Sequence, residues 1–361
     1  DGGRLYLEEV KWEMSGRKVQ LVVEDSATRV DVSLTKTRKL VEADRVQALV
    51  GVVLSASAIA IKDYITEKKT PFIISGFAVA EALTMEKVSP YLFRITYGAN
   101  TLPRESAKWV YRNLNARTAT IIASDTVGIV ELAMGFARAF EEAGGKVVQE
   151  IYPPLGTADY GPYLAGIRRD VDVVVECMAG ADAVRLVRQY QEFGLKGKIP
   201  LVDPATFIDL TTLPAMGEAA VGAYFSWGYV HTLDTPRNRK FVQAFHAKFG
   251  RAPGSPAAYT YDAMAAIHAA LNAIGGKIED TPRFLDALRK VDLELPRGRV
   301  RFDRFQHVVS DVHVGRIEKV EGKVVPVVIQ SVRAVEQFGG MDPKEYIKRP
   351  RLFTLKGSFA K

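Results

Sequence analysis

The fold of this 361-residue chain turns on two stretches, Val46-Gln-Ala-Leu-Val-Gly-Val-Val-Leu-Ser-Ala-Ser-Ala58 and Thr70-Pro-Phe-Ile-Ile-Ser-Gly-Phe-Ala78. Each holds a short, near-continuous apolar run, Ala48 to Leu54 and Phe72 to Ile74, and an amphipathic helix over Ile59 to Lys68 separates them. Continuous apolar runs suit strands covered on both faces, so the segment predicts a parallel βαβ unit. Both strands then spill into small residues, and open α/β sheets bind ligands at the carboxyl ends of their strands. The helix start after Ser57 favours an anion, because its first N–H groups lack partners. No catalytic machinery is visible in the segment.

Working outward, apolar runs and helical patterns alternate for about 230 residues. Lys18 to Glu24 predicts a strand and Val30 to Val41 a helix. Pro90 to Tyr97 is extended, and Pro103 to Leu114 is helical. Strands over Thr118 to Ala123, Lys146 to Ile151, Val171 to Glu176 and Ile199 to Val202 alternate with helices over Ile129 to Ala143, Tyr160 to Arg169 and Asp182 to Phe193. Gly144-Gly145 and Gly194 stand where helices end. Such alternation predicts parallel sheets with helices on both faces. Beyond Val221 come an aromatic extended stretch (Gly222 to Val230), two helices (Arg237 to Phe249, Ala257 to Ala273), a strand at Arg299 to Asp303, and a hairpin of Val308 to Glu318 with Lys323 to Gln330. The tail after residue 334 is polar and receives no element.

A chain this long suggests two domains. Its 47% hydrophobic and 25% charged residues are those of a globular protein. No apolar run approaches the ~20 residues that span a bilayer. The formal charge of +7 is scattered among acids, except for the C-terminal Lys344, Lys348, Arg349, Arg351, Lys356 and Lys361. No helix-turn-helix or aromatic–basic motif accompanies them, so no nucleic-acid partner is expected. A single cysteine, Cys177, excludes an intramolecular disulfide and a cysteine metal cluster. The five histidines show no ligand spacing, and neither metal nor cofactor is expected. Cys177 reads as a buried small apolar residue.

Three segments together carry a likeness to a known family. Arg45-Val-Gln-Ala-Leu-Val-Gly-Val-Val-Leu-Ser-Ala-Ser57 resembles its strand and Ser-rich loop. Asp159-Tyr-Gly-Pro-Tyr-Leu-Ala-Gly-Ile-Arg168, Asp172-Val-Val-Val175 and Leu186-Val-Arg-Gln-Tyr-Gln-Glu-Phe-Gly-Leu195 resemble a helix, strand and helix of its second lobe. Asn238-Arg-Lys-Phe-Val-Gln-Ala-Phe-His-Ala-Lys-Phe-Gly-Arg-Ala-Pro253, followed by Ala258-Tyr-Thr-Tyr-Asp-Ala-Met264, is the most distinctive. Over residues 1 to about 330 the chain resembles the leucine/isoleucine/valine-type solute-binding proteins of bacterial ABC importers, the type I periplasmic binding fold. The family's first strand and its ligand loop have no counterpart ahead of Asp1-Gly-Gly-Arg4, so the natural N-terminus is expected upstream.

The resemblance implies an α/β protein of two Rossmann-like, doubly wound lobes joined by a three-crossing hinge. Crossings are expected at Ile95–Gly98, Trp227–Val230 and near Val309–Val312. Lobe one would comprise 1–96 plus 229–310, lobe two 97–228 plus 311–335, and 336–361 the tail. Ligand in the cleft between lobes would favour a closed state that a permease reads. The implied setting is periplasmic, with a secretory leader taken as already removed. The implied partners are a small organic ligand and an inner-membrane ABC permease, with the protein acting as a monomer and performing no catalysis.

Among implied site residues, Ser55 matches the family's carboxylate-holding serine; an ordinary helix N-cap is the competing reading. Ala56 and Ser57 adjoin it. Phe77, Ala78 and Val79 lie on the next loop, where amino-acid binders often place a small residue and a hydroxyl-bearing one; Phe77 and Val79 depart from that, and Phe77 could equally be a core or inter-helix contact. Asp125 and Val127 lie on the loop after Ala123, with Val127 where a tyrosine is frequent; for Asp125, capping the helix that begins near Ile129 is favoured over ligand contact. Met178 ends the strand after Cys177. Ala205 and Thr206 fall where amino-acid binders carry an acid for the α-ammonium group, and only Asp203 stands near to replace it. A buried ammonium without a counter-charge costs several kcal/mol. Tyr229 and Tyr259 could add aromatic walls or simply pack. These departures favour a hydrophobic or aromatic carboxylate, or an amide, over a free amino acid. Two other classes stay open: a ligand-sensing regulatory module of the same fold, and a doubly wound enzyme. The enzyme lacks any Gly-x-Gly-x-x-Gly, Gly-x-Ser-x-Gly or Gly-Lys-Ser/Thr motif.

Overall fold

The apolar run Phe72 to Ile74 divides its side chains between two cores, which is why it can be apolar throughout. Phe72 and Ile74 join a cluster with Ile61, Ile65 and Leu92. Ile73 faces the other way, with Phe93, Ala266 and Phe284. The computed structural model describes every residue except Glu86, Lys87, Thr206 and Lys361. The chain forms two compact units, one of Asp1–Gly98 and Asp234–Ser310, the other of Ala99–Leu233 and Asp311–Lys361.

In chain order the strands of the first unit are β1 (Glu13–Met14), β2 (Arg17–Lys18), β3 (Leu49–Gly51), β4 (Phe72–Ile74) and β5 (Leu92–Arg94). The second unit contributes β6 (Thr118–Ala123), β7 (Lys146–Ile151), β8 (Val173–Cys177), β9 (Leu201–Asp203) and β10 (Tyr224–Trp227). β11 (Asp292–Leu295) and β12 (Gly298–Phe302) belong to the first again. β13 (Val308–Val320) starts there and passes into the second, where β14 (Lys323–Val335) follows.

In the first unit β3, β4 and β5 pair in parallel, with Leu49 opposite Phe72 and Phe72 opposite Leu92. The helix Ser55–Glu67 makes the β3–β4 crossover. Helices Gly2–Glu9 and Ser255–Ala273 pack so closely that a Cβ on Gly2 would lie 1.8 Å from the Ala257 carbonyl oxygen. The expected strand over Lys18 to Glu24 does not form. Only Arg17–Lys18 pairs, in a short hairpin with Glu13–Met14. Val19 and Leu21 still pack on the core, but Val23 is 71% exposed. Alternation placed the side chains, yet a strand also needs a ladder partner, and no described segment supplies one. The helix Thr281–Arg289 and the hairpin β11–β12 lie where the sequence reading placed only a strand at Arg299 to Asp303. That helix opens on Asp280, whose side chain accepts from the Arg283 N–H.

In the second unit the sheet order is β7-β6-β8-β9-β10-β13-β14, parallel as far as β10. β10 and β13 pair antiparallel, with Phe225 opposite Gly315. The predicted helix over Tyr160 to Arg169 shrinks to Gly161–Ala165. The tail without an assigned element folds onto this unit as a helix, Pro343–Lys348, and a turn, Leu352–Leu355. Gly135, in the helix Val127–Glu142, lets the backbone at Ala99 approach: a Cβ there would sit 2.3 Å from the Ala99 carbonyl oxygen. Because that obstacle is backbone, Gly135→Ala is expected to destabilise the protein by about 1–3 kcal/mol. Urea denaturation checks this, and an unchanged midpoint would show that the contact yields freely.

Candidate functional site

In the first unit the strand-end loops are tied together by a single hydroxyl. The crossover helix begins at Ser55 itself, four residues before the expected start at Ile59, and Leu54 holds the capping position without a side-chain cap bond. Ser55 therefore does not act as an N-cap. Its Oγ accepts hydrogen bonds from the Val79 N–H at 3.0 Å and the Ala80 N–H at 3.2 Å. A serine hydroxyl has two acceptor lone pairs and one proton to give. Two N–H groups occupy the lone pairs, so the proton is what Ser55 can offer a ligand.

The loop after β4 comes close to the loop after β3, since a Cβ on Gly76 would lie 2.3 Å from the Val52 carbonyl oxygen. From the far side the fully buried Arg94, at the end of β5, donates to the Val79 carbonyl at 2.6 Å and the Ala80 carbonyl at 2.8 Å. The sequence reading passed over Arg94 as part of an extended run. Phe77 stands 6.2 Å from Tyr97, ring to ring, and Tyr97 lies 6.3 Å from Tyr259. The Arg297 guanidinium lies 4.8 Å from the Tyr259 ring centre and pairs at 2.7 Å with Asp262, both fully buried. Ala56 is exposed, whereas Ala78 and Val79 are buried. Ser57 is occupied: its hydroxyl lies 2.9 Å from that of Ser33, which itself donates to the Arg29 carbonyl.

In the second unit Asp203, at the end of β9, organises the loop after it. Its oxygens accept from the N–H groups of Ala205 (3.0 Å), Phe207 (3.0 Å) and Ile208 (2.9 Å), and from the Trp227 indole at 3.1 Å. Burial pushes its carboxyl up to about 6, against those four donors. On β8 the fully buried Glu176 accepts from the Met178 N–H through one oxygen, and the other has no hydrogen-bond partner among the described residues. Burial and the neighbouring Asp203 charge push Glu176 well above the usual carboxylate range. The Cys177 thiol is buried and pushed up for the same reasons. Met178 is buried and its sulfur accepts from the Ser124 hydroxyl at 3.0 Å.

Asp125 caps no helix through its side chain; it pairs with Lys356 of the tail at 2.5 Å. The tail is anchored beyond that by Glu150, which accepts from the N–H groups of Gly357, Phe359 and Ala360. Val127 is the first residue of its helix, while Ala205 and Tyr229 are buried. Thr206 lies outside the described residues. The structure thus brings Ser55, Val79 and the start of Ala80 into one cluster in the first unit. In the second it brings Asp203, Ala205 and Trp227 together, and it draws Asp125 towards the tail. Among the described residues no group of three or more His, Cys, Asp or Glu could hold a metal ion.

A two-unit α/β architecture with small, hydroxyl-bearing strand ends in the first unit is that of a solute-binding protein, and comparison with known proteins agrees. A family model described as periplasmic binding protein matches residues 1–322. The chain belongs to that family, of the kind that serves ABC transporters. It is 34% identical to an ABC transporter substrate-binding protein from Sphaerobacter thermophilus, with a TM-score of 0.88 and 93% of each chain covered. It is 26% identical to an ABC-transporter solute-binding protein of Rhodopseudomonas palustris solved with p-hydroxybenzoic acid, with a TM-score of 0.86 over 94% of this chain and 93% of that one. A Leu/Ile/Val-binding protein homologue from Brucella melitensis is 27% identical over 290 residues, 79% of this chain and 73% of that protein.

The Asp203 geometry carries a pH signature. A carboxyl whose folded-state value lies above its unfolded one binds its proton more tightly when folded, so it stabilises most at low pH and that contribution fades as pH rises through about 4 to 6. The melting temperature of the wild type relative to Asp203→Asn is therefore expected to fall between pH 4 and pH 6.5. A flat difference across that window would show that Asp203 folds without this strain.

Proposed function

We propose that this chain captures a small aromatic or hydrophobic carboxylate and delivers it, as a monomer and without any chemical step, to a membrane ABC permease. The observation that carries the reading is Ser55, whose two lone pairs are filled by the Val79 and Ala80 N–H groups, leaving the hydroxyl proton for an external acceptor. A carboxylate oxygen is the strongest such acceptor, because charge-assisted bonds are about twice as strong as neutral ones.

The second unit supports a ligand without an ammonium group. Asp203 is held by its own loop, Asp125 by Lys356, and Glu176 is pushed towards its neutral form. An amino acid's ammonium group would meet no ready counter-charge at these strand ends. Phe77 and Tyr97 supply aromatic surface in the first unit. The p-hydroxybenzoate-bound relative shows that this fold accommodates an aromatic acid.

A thermal-shift screen tests the ligand class: 4-hydroxybenzoate is expected to raise the melting temperature and L-leucine to leave it unchanged. A shift with leucine and none with aromatic acids would overturn the reading. Ser55→Ala is expected to weaken 4-hydroxybenzoate binding about 10–100-fold, the worth of one hydrogen bond to a charged group. Calorimetric titration measures this, and unchanged affinity would reduce Ser55 to a loop tie.

A further inference from the structure

Arg94 is a fully buried cation in a position that nothing about ligand contact explains. Its guanidinium donates to the carbonyls of Val79 (2.6 Å) and Ala80 (2.8 Å) and to the Thr84 hydroxyl (2.8 Å). The Val79 carbonyl and the Ala80 N–H belong to the same peptide group, and that N–H donates to Ser55 Oγ. Cation, peptide and hydroxyl therefore stand in series. The charge pulls on the carbonyl, the polarised peptide gives a stronger N–H donor, and the hydroxyl that accepts from it becomes a stronger donor in turn. Hydrogen bonds in such chains reinforce each other by about 10–30% per bond.

We propose that Arg94 is the positioning residue for ligand recognition at Ser55: it fixes the Val79–Thr84 loop and, through the 79–80 peptide, biases the Ser55 hydroxyl towards an anionic oxygen over a neutral one. This rests on the carboxylate reading of Ser55 given above. Arg94 itself touches loop atoms, and its effect reaches the ligand through Ser55. A planar fork is needed because two carbonyls must be held at once, which an ammonium group cannot reproduce.

The test compares 4-hydroxybenzoate with 4-hydroxybenzamide by calorimetry on the full chain. The wild type is expected to prefer the carboxylate, and Arg94→Gln to narrow that preference about two- to fivefold. Arg94→Lys, which keeps the charge but not the fork, is expected to weaken both probes while retaining most of the preference. A purely structural Arg94 would lower both affinities equally in either variant, and that result overturns the proposal. If Arg94→Gln does not fold by circular dichroism, Thr84→Val removes one guanidinium partner and must narrow the preference in the same direction; an unchanged ratio overturns the proposal there too. Ser55→Ala separates the two readings. If it leaves affinity unchanged, or if neither probe binds the wild type, the carboxylate reading fails and the relay falls with it. If it weakens binding while the Arg94 variants keep the wild-type ratio, only the relay is wrong.

Discussion

The strand-end loops of the first unit depend on two residues, Val79 and Ala80, whose backbone groups are held from both sides. Ser55 takes the N–H groups of Val79 and Ala80, and Arg94 takes the carbonyl groups of the same two residues. A loop at the end of a buried strand carries backbone groups that water cannot satisfy, so each must find a partner in the protein. Here one hydroxyl and one guanidinium satisfy four of them. The consequence is chemical as well as structural, since the arrangement uses up Ser55's lone pairs and leaves its proton.

The second unit solves the same problem with an acid. Asp203 at the end of β9 gathers three loop N–H groups and the Trp227 indole, at the expense of a carboxyl held above its usual range by burial. The serine and the aspartate follow consecutive-looking apolar strands, yet they leave opposite residues of chemistry behind. The first keeps a hydroxyl proton to give, while the second has its oxygens taken up by its own loop and the Trp227 indole. Each arrangement is complete within its own unit, and neither depends on the other.

Much of this was legible in the residues. The buried strands from Thr118 to Asp203 announce themselves because continuous apolar runs between amphipathic helices have few alternatives. Lys18 to Glu24 shows where periodicity stops: it says which side chains face the core, and the missing strand partner is a fact about other segments. Ser55 was recognisable as a polar group at a strand end, but its partners lie 24 and 25 residues further on. Asp203 looked available as a counter-charge, because nothing local shows that its loop folds back over it. Arg94 did leave a signal. A lone arginine within Tyr-Leu-Phe-Arg-Ile, in a strand otherwise apolar, must be paired if buried. The tail could not be read, since its anchors at Asp125 and Glu150 are distant in sequence and its own composition is that of a solvated end.

A crystal structure of the protein grown with 4-hydroxybenzoate tests the central claim most directly. The account predicts a carboxylate oxygen within hydrogen-bond distance of Ser55 Oγ, about 2.5–3.0 Å, with the Val79 and Ala80 N–H groups still directed at that same oxygen atom of the serine. A carboxylate bound away from Ser55, or a loop that releases Ser55 so that Val79 and Ala80 donate directly to the ligand, would contradict it.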